Sequence, residues 1–126
     1  MPTILLVDDD PLQALQHKSV LEIRFPDVQR VGDAAEALCL VEQPQFAASL
    51  GLVIAGHHTS GIGGPALVAE LHARLPHLPV LVLGGPGETS TEYAGPGVHF
   101  RSRPIANTEL LALASHLLAP NGKNTR

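Results

Sequence analysis

Uninterrupted apolar runs alternate along the chain with segments in which apolar residues recur every three or four positions. Thr3-Ile-Leu-Leu-Val7 is one such run, and it stops at Asp8-Asp9-Asp10-Pro11. A continuous run of this length is what a strand covered on both faces requires. Pro11 suits the first turn of a helix, and the acidic residues suit its positive N-terminal end. The spacing then predicts a helix to Phe25 with Leu12, Leu15, Val20 and Ile23 on its inner face. Pro26-Asp27 breaks it, and Val28 to Val31 reads as a short strand. Asp33 is placed to cap a helix running to about Gln43, with Ala34, Leu38 and Val41 inward and Pro44 ending it.

Leu50 to Ala55 is the second buried strand, followed by a loop from Gly56 to Gly64 in which four of nine positions are glycine. A helix from Pro65 to about Leu75 presents Leu67, Val68 and Leu71 on one side. Pro76 and Pro79 bracket the turn into Val80-Leu-Val-Leu83, the clearest central strand. A short helix is expected from Glu88 to Ala94, a last strand from Val98 to Arg101, and a final helix from an Asn107 cap to Leu118. Leu110, Leu113, Ala114 and Leu117 would face inward on that helix. Five strands alternating with helices predict a doubly wound α/β domain, a parallel sheet covered on both faces, over residues 1–118. Residues 119–126 read as a disordered polar tail.

Composition narrows the possibilities. The chain has 126 residues, 44% hydrophobic and 16% charged, which suits one globular domain. A formal net charge of −4 argues against a nucleic-acid partner. No apolar run reaches the roughly 18 residues of a membrane span, and no signal peptide is legible, so a cytoplasmic protein is expected. Cys39, the single cysteine, excludes an internal disulfide and reads as a small core hydrophobe beside Leu38, Leu40 and Val41.

Ligands in doubly wound folds bind at the carboxyl ends of the strands. Those ends here are Asp8 to Asp10, Gly56 to Ser60, Gly84 to Gly87, and Arg101 to Pro104. Ile4-Leu-Leu-Val-Asp8-Asp9-Asp10-Pro11 resembles the opening of response regulator receiver domains, and Leu52-Val-Ile-Ala-Gly56 with Gly61 and Gly64 is similar to that family's second motif. Pro79-Val-Leu-Val-Leu83 resembles its fourth strand, and Gly97-Val-His-Phe-Arg-Ser-Arg103-Pro104-Ile105 its last motif. The resemblance spans Thr3 to Leu118. It implies the flavodoxin-like (βα)5 fold and a place in two-component, phosphorelay signal transduction.

The same alignment of motifs marks the site as degenerate. The family's acceptor aspartate is matched by Gly56, its hydroxyl residue after the fourth strand by Gly84, and its lysine by Arg103. Asp8 and Asp9 remain, and Phe100 matches the aromatic that rotates on activation. Acyl-phosphate formation needs a carboxylate nucleophile, and glycine has none. Magnesium wants an octahedron of oxygens, so Asp8 and Asp9 without a third carboxylate predict at best a weak metal site and no required cofactor. Gly56→Asp alone is not expected to restore the switch, because Gly84 still lacks the hydroxyl that reads the phosphoryl group. Arg103 is expected to form an ion pair with Asp8 or Asp9 across the pocket.

Other polar residues offer less. His57-His58 lacks a third metal ligand, and Thr59 and Ser60 have no evident base. Gly84-Gly85-Pro86-Gly87 lacks the Gly-Lys-Ser/Thr ending of a phosphate loop. His17, His72, His77, His99 and His116 sit at surface-like, ungrouped positions. The leading expectation is a non-enzymatic, phosphorylation-independent receiver that acts by protein–protein contact. Only about eight residues follow the final helix, so no output domain is expected. Its partner, a histidine kinase or another signalling protein, would dock on Phe100, Ile105 and the helix from Leu110 to Leu118, by resemblance. The apolar end Leu117-Leu118-Ala119 offers a homodimer seam. A second class keeps phosphorylation, with Asp9 or His57 as an atypical acceptor. A third is a small ligand- or nucleotide-binding protein on the same fold, which the scarcity of aromatics (3%) disfavours because little is available to stack a base.

Overall fold

The three apolar runs at Thr3–Val7, Leu50–Gly56 and Val80–Gly84 form the middle of one parallel sheet. The computed structural model describes residues 2–56, 62–85, 97–102 and 104–118. Their elements are β1 (Thr3–Val7), α1 (Pro11–Glu22), β2 (Val28–Val31), α2 (Ala34–Val41), α3 (Pro44–Ser49), β3 (Leu50–Gly56), α4 (Gly64–Arg74), β4 (Val80–Gly84), β5 (Val98–Ser102) and α5 (Asn107–Leu118). The strand order is β2-β1-β3-β4-β5, all neighbours parallel, which is the flavodoxin-like arrangement. Among the described residues no helix is long and apolar enough to cross a membrane.

Alternate residues of each strand feed two cores. Leu5, Val7, Val53, Ala55, Val80 and Val82 pack with Ala34, Ala37 and Val41 of α2 and Leu67, Val68 and Leu71 of α4. Ile4, Leu6, Leu52, Ile54, Leu81 and Leu83 pack with Val20 and Leu21 of α1 and Leu110 and Ala114 of α5. Burial on both faces is why β1, β3 and β4 read as continuous apolar runs.

Several expectations are corrected. In α1 the buried residues are Ala14, His17, Val20 and Leu21, whereas Leu12, Leu15 and Ile23 are 78%, 62% and 76% exposed. Apolar residues stand on both sides of this helix, so periodicity alone does not choose the inner face. The small Ala14 allows close approach to the sheet. Asp10, which accepts from the Leu12 and Gln13 amides, fixes where the helix starts and hence its rotation. Pro44 opens the unexpected short α3 rather than simply ending α2, in keeping with proline's place in a first turn. Cys39 is exposed on the outer side of α2, where Ala37 takes the inward position. Asn107 is the first helical residue of α5, and the Ala106 carbonyl accepts the first intrahelical bond from the Leu110 amide at 2.9 Å. The helix expected over 88–94 and the tail 119–126 lie outside the described residues.

Gly97 is the one described residue with a left-handed backbone, φ 86°, where a side chain is strained. Its carbonyl accepts from the Val80 amide at 2.8 Å and starts the β4–β5 pairing. On the opposite flank, Asp33 accepts from the Glu36 amide at 2.8 Å while Glu36 Oε1 accepts from the Gly32 amide at 3.1 Å. This reciprocal cap holds the start of α2.

Candidate functional site

The order β2-β1-β3 means that the chain leaves β1 toward one side and returns to the other, opening a crevice at the carboxyl ends of β1 and β3. Register brings the candidate residues into one row. Val7 pairs with Ala55, Gly56 with Leu83, and Gly84 with Ser102. Asp8, Gly56 and Gly84 therefore stand side by side at the top of three adjacent strands. Asp9, one residue beyond Asp8, is exposed. Arg103 and residues 57–61, including His57, His58, Thr59 and Ser60, lie outside the described residues, as do Pro86 and Gly87.

Asp8 is half-buried, and both carboxylate oxygens accept hydrogen bonds. Oδ1 accepts from the Asp10 amide at 3.0 Å, closing an Asx-type turn, and Oδ2 accepts from Gln13 Nε2 at 2.9 Å. The Asp8 carbonyl accepts from Arg30 Nε at 3.0 Å and from Arg30 Nη2 at 2.7 Å, while its amide donates to the Val31 carbonyl at 3.1 Å. A guanidinium fork on one carbonyl ties the end of β1 to β2. Gln13 and Arg30 are the site residues that the sequence did not reveal. Gln13 has only its position one turn into α1 to recommend it, and Arg30 lies in an outwardly polar stretch of β2.

Beneath Asp8 the described residues leave little space. Leu6, Asp8, Gln13, His17, Gly56 and Leu83 are among the residues around a cavity of about 10 Å³. A single water needs roughly that much, 10–15 Å³. His17, expected at the surface, is 7% exposed and forms part of this wall. His72 is half-buried, and its Nε2 donates to the Leu78 carbonyl at 2.8 Å. His99 is half-buried on β5; desolvation, helped by the nearby Arg101 and His116 charges, holds its imidazole below the usual 6.5.

Among the described residues, the groups beneath Asp8 do not fit a magnesium ion, which the fold family implies. Both Asp8 oxygens are engaged by donors, Gly56 offers no side chain, and the cavity is close to one water in size. Among the described residues no three of His, Cys, Asp or Glu cluster closely enough to hold a metal.

The residues expected to meet a partner differ in how far they are exposed. Phe100 and Ile105 are half-buried and lean on opposite cores. Along α5, Leu110 and Ala114 are fully buried and unavailable to a partner. Leu111, Leu113, Leu117 and Leu118 are half-buried, and Thr108, Glu109, Ala112 and His116 are exposed. Glu109 faces Arg101 across 3.8 Å. Leu118 is so close to β3 that a Cβ on Gly51 would stand 2.6 Å from its Cδ2.

A scan against protein-family models and a search of curated proteins return no match. Solved structures do match, and over nearly the full length. A response regulator receiver domain protein from Clostridium thermocellum has a TM-score of 0.82 at 21% identity, with 95% of this chain and 96% of that one covered. A putative response regulator from Chloroflexus aurantiacus gives 0.76 at 26% identity, covering 94% and 99%. The signal receiver domain of an HD domain-containing protein from Pseudomonas fluorescens gives 0.78 at 26%, covering 98% of each chain. Sheet order, strand-end geometry and these likenesses agree: the chain has the fold of response regulator receiver domains.

Proposed function

We propose that this chain is a receiver-type signalling module that acts in two-component signal transduction through protein contact, without phosphorylation, magnesium or catalysis of its own. The single observation that supports this reading is at the end of β3: Gly56, which by resemblance matches the acceptor position, offers no side chain, and about 10 Å³ remains among Asp8, Gln13, His17 and Leu83. Acyl-phosphate formation needs a positioned carboxylate nucleophile, and Gly56 has no side chain to offer one. Gly84 also lacks the hydroxyl that would couple a phosphoryl group to Phe100. The partner is a histidine kinase or another signalling protein. It meets Phe100, Ile105 and the outward residues of α5, chiefly Leu111, Ala112 and His116.

The test follows the switch itself. Backbone amide spectra are recorded before and after addition of magnesium and acetyl phosphate. The resonances of Phe100, Ile105 and α5 are expected to stay in place, with magnesium binding in the millimolar range or weaker, about 4 kcal/mol or less. Concerted movement of Phe100 and α5 resonances would overturn the proposal, as would micromolar magnesium affinity.

A further inference from the structure

Strand β5 stands last in the sheet, and its alternation sends polar and apolar side chains to opposite faces. Val98 and Phe100 lean on the core that holds Val80 and Val82. His99 and Arg101 point to the other face, in register with Leu81 and Leu83 of the core beneath α5. Arg101 Nε meets Glu109 Oε2 at 3.8 Å, and His116 follows Glu109 on the same side of α5, about two turns further on. His99, Arg101, Glu109 and His116 therefore line one seam between strand and helix, three basic groups and, among the described residues, one acid. β4 adds no titratable side chain, and α1 adds a further cation, Arg24, whose Nη1 donates to Ser115 Oγ of α5 at 2.7 Å.

Within this seam a proton on His99 is unwelcome for two reasons. The ring is half-buried beside Leu81, and the charges near it, those of Arg101 and His116, have the sign it would acquire. The one acid, Glu109, faces Arg101 instead. Whenever the seam opens, the ring returns to water and leaves those neighbours, so the open form binds the proton more readily than the closed form. Acid therefore favours opening, and the closed form keeps its full advantage above the ordinary histidine range. The seam is also placed to open on its own. β1 and β4 are buried along their whole length, whereas β5 is half-buried from Val98 to Phe100 and exposed at Arg101 and Ser102. Elements with so little burial open locally at lower cost than core strands do. We propose that the seam between β5 and α5 is a proton-operated latch, closed while His99 is neutral and loosened locally when His99 is charged. The latch controls the face that carries Phe100 and the outward residues of α5. Its bearing on a partner rests on the function proposed above, whereas the latch itself does not.

Amide hydrogen exchange of the full chain tests the latch without phosphate, magnesium or a partner, so its outcome is independent of the acetyl phosphate experiment. Protection factors, which remove the intrinsic pH dependence of exchange, are compared between about pH 7.5 and about pH 5, on either side of the histidine range. Protection of the β5 amides and of the last turn of α5, taken relative to β1 and β3, should fall at least ~threefold at the lower pH. His99→Gln keeps a polar side chain that cannot take the proton, and it should abolish the difference. His116→Gln, at an exposed position, removes one of the like charges and should shrink it. In the unmodified chain the His99 ring resonances should titrate with a midpoint below 6.5. Protection of β5 that does not change with pH relative to β1 overturns the proposal. So does a loss spread evenly over all five strands, a loss that persists in His99→Gln, or a His99 midpoint at or above the ordinary value.

Discussion

The two ends of the sheet treat empty space in opposite ways. At the carboxyl end, Asp8, Gln13, His17, Gly56 and Leu83 leave about 10 Å³. At the amino end, Ala47, Leu50, Gly51 and the stretch from Leu75 to Pro79 surround an open, mostly apolar hollow of about 370 Å³. The closed end sets Asp8, Gln13 and His17 among apolar residues, with Gln13 donating to Asp8, whereas the open end is lined by prolines, leucines and Ala47 of the short α3. In this fold the carboxyl end is where ligands are usually held. Here the space that the described residues leave beneath Asp8 is about one water in size, while the framework around it is intact.

The largest expected effect comes from opening the closed end. Leu6 is 1% exposed and borders the small cavity, so Leu6→Ala should cost about 2–5 kcal/mol in denaturant unfolding. A loss below 1 kcal/mol would mean that the crevice wall is looser than its packing implies. Arg30→Ala removes both guanidinium donors from the Asp8 carbonyl, a partly exposed contact, and should cost about 1–2 kcal/mol by the same measurement. An unchanged midpoint would show that the β1–β2 end does not depend on this fork.

The open end should respond with the opposite sign. Ala47→Leu adds apolar volume over the hollow and is expected to raise stability by about 0.5–1 kcal/mol, read as an increase in Tm. A destabilised variant would mean that the hollow is too shallow to accept the added carbons. The smallest effect is a pH dependence from His99. Its folded pKa lies below the ordinary 6.5, so the unfolded chain binds the proton more readily. The stability this group contributes is complete above pH 6.5 and is lost as pH falls from there through the folded value. His99→Gln should flatten the stability profile on the acid side of pH 6.5 and leave neutral pH unchanged. A profile of unchanged slope would remove His99 as its source.

How far the sequence spoke for each region follows from how each is built. β1, β3 and β4 are legible because burial on both faces demands continuous apolar runs, and a strand's end then locates Asp8, Gly56 and Gly84 without further information. α4 is legible as well, since Leu67, Val68 and Leu71 mark one face and all three are buried. α1 misleads because it is apolar on two sides. Its rotation is set by the Asp10 cap and by the need for Gln13 to reach Asp8, neither of which leaves a periodic signature. Cys39 misleads for a related reason: a cysteine flanked by leucines looks internal, but each step along a helix turns the side chain by 100°. Arg30 and His17 complete the site through contacts across 22 residues and into a tertiary wall, which no local spacing encodes.

The central claim, that the carboxyl-end crevice no longer takes a phosphoryl group, is tested most directly by intact mass. The unmodified chain is incubated with acetyl phosphate and magnesium and its mass is read before and after. The account predicts no increase, with the shut space and Gly56 as the cause. A stoichiometric gain of one phosphoryl group, mapped by fragmentation to Asp9, His57 or any other residue at the strand ends, would contradict it.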